Sequence, residues 1–193
     1  MGGRGGALAA AVVVAVAIGM PGVAGPDAHD GPDVLDGDTL VVEVQLEAAD
    51  AAGLEELVAV VADVSQDPRG WSAAGVVVVV AESAANRLGL AASSDMAEAC
   101  APWRPAGKYG CLPGRVGMIN TGWWDAPPSW WEGSRESYRR RAVNHELGHF
   151  LGLRGHPPCG GPGAPLPVMA LPPREGTDCA PHEWPVPADL AAL

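Results

Sequence analysis

At 193 residues the chain has room for one globular domain plus a leader, with one core and one site. Acidic side chains outnumber basic ones, 23 to 12, giving a formal charge of −11. A surface this acidic repels phosphate backbones, so no nucleic acid is expected as a partner.

Residues 1–24 open with one cation, Arg4, run apolar from Ala7 to Ile18 and end in small residues. That order reads as a secretory signal peptide, and the run falls short of the about 20 residues that span hydrocarbon. If retained, the same segment is an N-terminal anchor. Either way the body is expected to be secreted or extracytoplasmic, with no stable membrane insertion once the leader is removed. Residues 25–38 are rich in Pro, Gly and Asp and read as a flexible linker, with His29 solvated in it.

The domain proper is expected over 39–193. "TLVVEVQLE" alternates as a strand, with Val42, Val44 and Leu46 on one face. "DAAGLEELVAVVADV" follows as an amphipathic helix, capped by Asp50 and burying Leu54, Leu57, Val58 and Val61. "DPRGW" is a turn, and the β-branched run "GVVVVVAE" has the character of a central strand. "NRLGLAAS" fits a short strand or the start of a helix, and "SSDMAEAC" a capped helical turn or two. "GRVGMINTGWW" suggests a strand ending in Trp123 and Trp124; these and Trp130 and Trp131 are expected in the core rather than along a groove. The basic cluster "YRRR" (138–141) reads as one side of a helix. After Leu153 the chain turns to Pro and Gly.

All four cysteines follow the leader, an even number in an exported domain, so disulfides are expected rather than a cysteine zinc site. Three pairings are possible. Cys100–Cys111 and Cys159–Cys179 are favoured, because each closes a short loop rich in Pro and Gly.

The chemistry concentrates in "NHELGHFLGLRGH", residues 144–156. His145 and His149 lie one helical turn apart, so both imidazoles leave one face and can grip one ion. Glu146, rotated by about 100°, stands beside the metal as a base rather than as a ligand. On a helix from about Arg135 to Leu151, capped by Ser134, residues Val143, Leu147, Phe150 and Leu151 face inward. Tyr138, Ala142 and the two histidines face a cleft. Gly152 permits a sharp exit, after which "LRGH" can return His156 to the ion. Three histidines leave a fourth position for water, the usual form of a catalytic zinc site. His182 and Asp178 remain open as substitutes for His156.

"HELGHFLGLRGH" resembles the metzincin signature H-E-x-x-H-x-x-G-x-x-H, and "APLPVMA" resembles the Met-turn that follows it. From about Thr39 to Pro187 the chain is similar to an exported actinobacterial domain family of unknown function with a metzincin-like core. The resemblance implies an α+β, metzincin-like (zincin) single domain. It implies a small mixed β-sheet packed on helices, including the HExxH helix, and an irregular, disulfide-closed C-terminal part. It carries over His145, His149 and His156 as ligands of one Zn2+, Glu146 as the base and Met169 as structural support, and it supports the pair Cys159–Cys179. The signature places its last histidine at 155; here Gly155 stands there and His156 follows. The tyrosine some metzincins carry after the Met-turn is absent, since the only tyrosines are Tyr109 and Tyr138.

The function expected is therefore a zinc metalloendopeptidase that hydrolyses peptide or protein substrates, with a zinc-bound water and Glu146 as general base. An amidase acting on cell-wall peptides would use the same chemistry. The alternative is a non-catalytic module of the same fold that binds an envelope or protein partner. A monomer is expected.

Overall fold

The computed structural model describes residues 33–35, 39–100, 114–172 and 178–193. The expected leader, residues 1–24, lies outside them, as does Cys111. Strand β2 (Thr39–Glu47) forms over the residues read from the sequence and turns Val42, Val44 and Leu46 into the core, as alternation requires. β3 (Val76–Val80) runs parallel along one edge of it, with Val76 opposite Leu40 and Val80 opposite Val44. Two strands share the other edge. β1 (Asp33–Leu35) pairs antiparallel with residues 39–41, and β4 (Asn86–Ala91) pairs parallel with residues 44–47. β5 (Val116–Asn120) extends the sheet parallel to β4. The class is α+β: four parallel strands, one short antiparallel strand, and helices packed against them.

Several local expectations need correction. β1 falls inside the 25–38 stretch read as linker; a three-residue strand is too short to show any period in a sequence. The valine run is not a central strand. Among the described residues β3 pairs with β2 alone, and Val77 and Val79 are 47% and 39% exposed. β-branching reports a liking for extended backbone, not the number of neighbours a strand will have. "NRLGLAAS" resolves as strand β4, leading into α2 (Ser93–Ala99), whose N-cap, Ala92, makes no side-chain cap bond. The Ser93 hydroxyl instead accepts the Asn120 amide at 2.8 Å. β5 stops before the tryptophans, because Asn120 caps a short helix, α3 (Thr121–Asp125), by accepting the Trp123 N–H at 3.3 Å.

Helix α1 (Ala51–Gln66) starts where Asp50 accepts the Gly53 N–H at 2.8 Å and buries Leu54, Leu57, Val61 and Val64. Val58 is only half-buried, and Val64, one turn beyond Val61, takes the inward position instead. Helix α4 (Arg135–Phe150) starts at Ser134, whose hydroxyl accepts the Ser137 N–H, and buries Val143, Leu147, Phe150 and Leu151 against α1 and β5. The three arginines of "YRRR" do not share a side, since successive helical residues are rotated by about 100°. Arg139 donates to the Trp124 carbonyl and pairs with Glu56, Arg140 pairs with Asp63 on α1, and Arg141 turns toward the chain after α4. No described helix is long and apolar enough to cross a membrane.

Beyond α4 the described chain is irregular apart from an isolated bridge, Pro165 to Ala180, and the four-residue α5 (Pro187–Leu190). The Cys159–Cys179 disulfide spans 20 residues there. Cys100 is also disulfide-bonded, and its expected pairing with Cys111 lies outside the described residues. Closing a loop of that length removes about 3 kcal/mol of unfolded-chain freedom. A Cys159→Ser, Cys179→Ser chain is thus expected to melt several degrees lower than the parent in calorimetry under oxidising conditions. Equal melting temperatures would mean that the bridges and hydrogen bonds of the tail suffice alone.

Candidate metal centre

His145 and His149 project from α4 with Nε2 atoms 3.1 Å apart. Each ring's other nitrogen is committed. His145 Nδ1 donates to the Val168 carbonyl and His149 Nδ1 to the Leu153 carbonyl, both at 2.7 Å. A carbonyl can only accept, so both rings carry their proton on Nδ1 and, when neutral, expose a lone pair at Nε2. Burial holds the His145 ring far below its ordinary pKa, with His149 adding to the effect. Burial also lowers His149, against the raising effect of its bond to Leu153. Two neutral rings therefore aim lone pairs at one point without a proton between them. A cation resolves that arrangement, and nitrogens at about 2.0–2.1 Å from a tetrahedral zinc lie roughly 3.4 Å from each other.

The helix exit brings the third ring. Gly152 takes φ 95°, its N–H donates to the His149 carbonyl, and the Leu153 N–H reaches back to the Gly148 carbonyl. This left-handed ending suits glycine and stops α4 abruptly. It also aims the Leu153 carbonyl at His149. The chain then carries His156 to the pair, with ring centroids 5.5 Å from His145 and 5.2 Å from His149. The ligand nitrogens of the three all lie within 4.8 Å of one another. The extra residue before His156 is absorbed in irregular chain. His156 is exposed, the other two half-buried; neither His182 nor Asp178 joins this group, and no other such group forms among the described residues.

Glu146 is 4% exposed, and its Oε2 has no hydrogen-bond partner. Burial pushes its pKa up to about 8. The carboxylate lies against Gly117 of β5, where an added Cβ would sit 2.8 Å from Oε2. A glycine in a strand interior often marks such a close approach. The glycine within "RVGM" carries that signal in the sequence.

Met169 is buried beneath α4, its sulfur against Gly148, with the Trp71 ring beside it. The surrounding turn, residues 167–170, is gripped by Arg141, which donates to the carbonyls of Pro167 at 2.8 Å and Ala170 at 2.7 Å. Burial brings the Arg141 pKa down to about 10.

The tryptophans divide between both roles. Trp124 and Trp131 are buried, whereas Trp123 and Trp130 are half-buried and meet edge-on at 6.4 Å. With Tyr138, Ala142 and Leu171 they line a cleft that His145 and Glu146 also face. Pairs of neighbouring tryptophans in the sequence do not tell which ring of each turns inward.

Residues 24–172 match the family described as protein of unknown function (DUF3152). No curated protein and no solved structure matches the chain.

Proposed function

The chain belongs to the DUF3152 family, and we propose that this member is an exported, zinc-dependent metallopeptidase of metzincin-like build. The observation that carries the reading is the pair of Nε2 atoms 3.1 Å apart, each left with its lone pair because a carbonyl on the far side of the ring holds the neutral imidazole's proton on Nδ1. His145, His149 and His156 would hold the ion. Zinc bound there supplies a Lewis acid that makes a water molecule acidic and polarises a carbonyl.

The chain's own residues supply the rest. Glu146 is a carboxylate with an uncommitted oxygen in a buried setting, and burial gives it a proton affinity suited to taking and returning a proton near neutral pH. The Val168 and Leu153 carbonyls fix the tautomers of the two helical histidines, which keeps the ligand atoms aimed. The aromatic cleft beside Glu146 offers Trp123, Trp130 and Tyr138 to an apolar side chain of an extended peptide. The exposure of His156 favours one second reading, a non-catalytic module that binds zinc weakly and recruits a partner.

Purified full-length chain, freed of metal by a chelator and then given one equivalent of zinc, is expected to regain hydrolysis of casein. Glu146→Ala should bind zinc as tightly and cleave nothing. Stoichiometric zinc with no cleavage by either chain would favour the module instead.

A further inference from the structure

His145 hydrogen-bonds to the turn of residues 167–170 at the Val168 carbonyl oxygen. The peptide group bearing that oxygen also bears the Met169 N–H. That N–H donates at 3.3 Å to Oδ1 of Asp189, which sits on α5 near the C-terminus. Oδ2 of the same carboxylate accepts the Val168 N–H at 3.0 Å and the Val186 N–H at 2.9 Å. Asp189 is 1% exposed. An anion, one peptide unit and an imidazole thus stand in line, from carboxylate to N–H, through C=O, to Nδ1–H.

Part of this carboxylate's role is structural: it satisfies three buried backbone N–H groups, among them that of Val186 at the N-cap of α5, which an apolar side chain would leave unpaired. Its charge also acts further along the line. It draws on the peptide N–H and so makes the carbonyl at the other end a stronger acceptor. A stronger acceptor holds the proton on Nδ1 and makes Nε2 of the same ring a better donor to a metal. Arg141 holds the carbonyls of Pro167 and Ala170, at the two ends of the turn, and the Val168 carbonyl between them goes to His145.

We propose that Asp189 is a positioning residue for the metal centre, acting through the Val168–Met169 peptide to fix the tautomer and aim of His145. The inference rests on the zinc reading for its purpose but not for its geometry. His149 provides an internal control, because its Nδ1–H goes to Leu153, outside the turn.

The test is nitrogen-detected NMR of the imidazoles in the metal-free, full-length chain, followed by competition titration with zinc. In the parent both Nδ1–H signals should be visible and slow to exchange. In Asp189→Asn the His145 signal is expected to shift or broaden away while that of His149 stays, and zinc affinity should fall about 10–100-fold. If the substitution prevents folding, Asp189→Glu serves; its displaced carboxylate should move the His145 signal alone. An unchanged His145 signal, or equal responses from both rings, would overturn the proposal by making Asp189 a purely structural residue. A selective response in a chain that takes up no zinc would keep the relay and remove the metallopeptidase reading.

Discussion

Glu146→Gln is expected to lower hydrolysis about 100- to 10,000-fold and, in the same chain, to raise the stability of the metal-free protein. The loss follows from removing a general base, whose contribution is usually of that size. The gain follows from burial. Glu146 releases its proton near 4.5 when the chain is unfolded and at about 8 when folded. Between those values the folded state holds the extra proton, so stability falls as pH rises through the window. Each unit of separation is worth about 1.4 kcal/mol, so by pH 9 the cost reaches on the order of 3–5 kcal/mol. Glutamine does not titrate and avoids it. Chemical denaturation of the two metal-free chains should agree near pH 4 and diverge with rising pH, the variant being the more stable. Parallel curves across that range would mean that Glu146 is solvated rather than buried.

Gly148→Ala sets two effects of opposite sign against each other. Helix propensity alone favours alanine in the interior of α4 by about 1 kcal/mol. Sterics oppose it. The new methyl would fall on the Met169 sulfur and 3.0 Å from Cζ2 of Trp71. Met169 is 1% exposed and Trp71 2%, and the Trp71 ring is anchored by its own Nε1–H on the Asn144 carbonyl at 3.0 Å. Neither can step aside cheaply, and overpacking of this kind costs about 1–3 kcal/mol, occasionally more. The crowding should win, with net destabilisation of up to about 2 kcal/mol in denaturant titrations. It should also weaken zinc binding, because the displaced turn carries Val168 away from His145. A stabilised variant would show that Met169 moves freely beneath the site.

What could be read in the sequence follows from the range of each interaction. The spacing of His145, Glu146 and His149 is helical and therefore local, so five residues place two ligands and a base. Gly152 was legible too, because leaving a helix sharply demands a left-handed residue, and the structure puts it at φ 95°. His156 was legible only as a residue able to return, since irregular chain has no period from which to compute its position. Arg141 and Asp189 were not legible. Their partners in the turn of residues 167–170 are backbone groups 20 or more residues away, and a sequence gives no sign of which backbone groups will need one. β3 misled for a similar reason: its valines prescribe extended chain, while its place at an edge is decided by where the connections on either side run.

X-ray absorption at the zinc edge, on chain loaded with one equivalent of metal, is the most direct test of the three-histidine centre. The expected spectrum fits three imidazole nitrogens and one further light atom at about 2.0–2.1 Å, falling to two imidazoles in His156→Ala. Two imidazoles in the parent and an unchanged spectrum on removing His156 would contradict it.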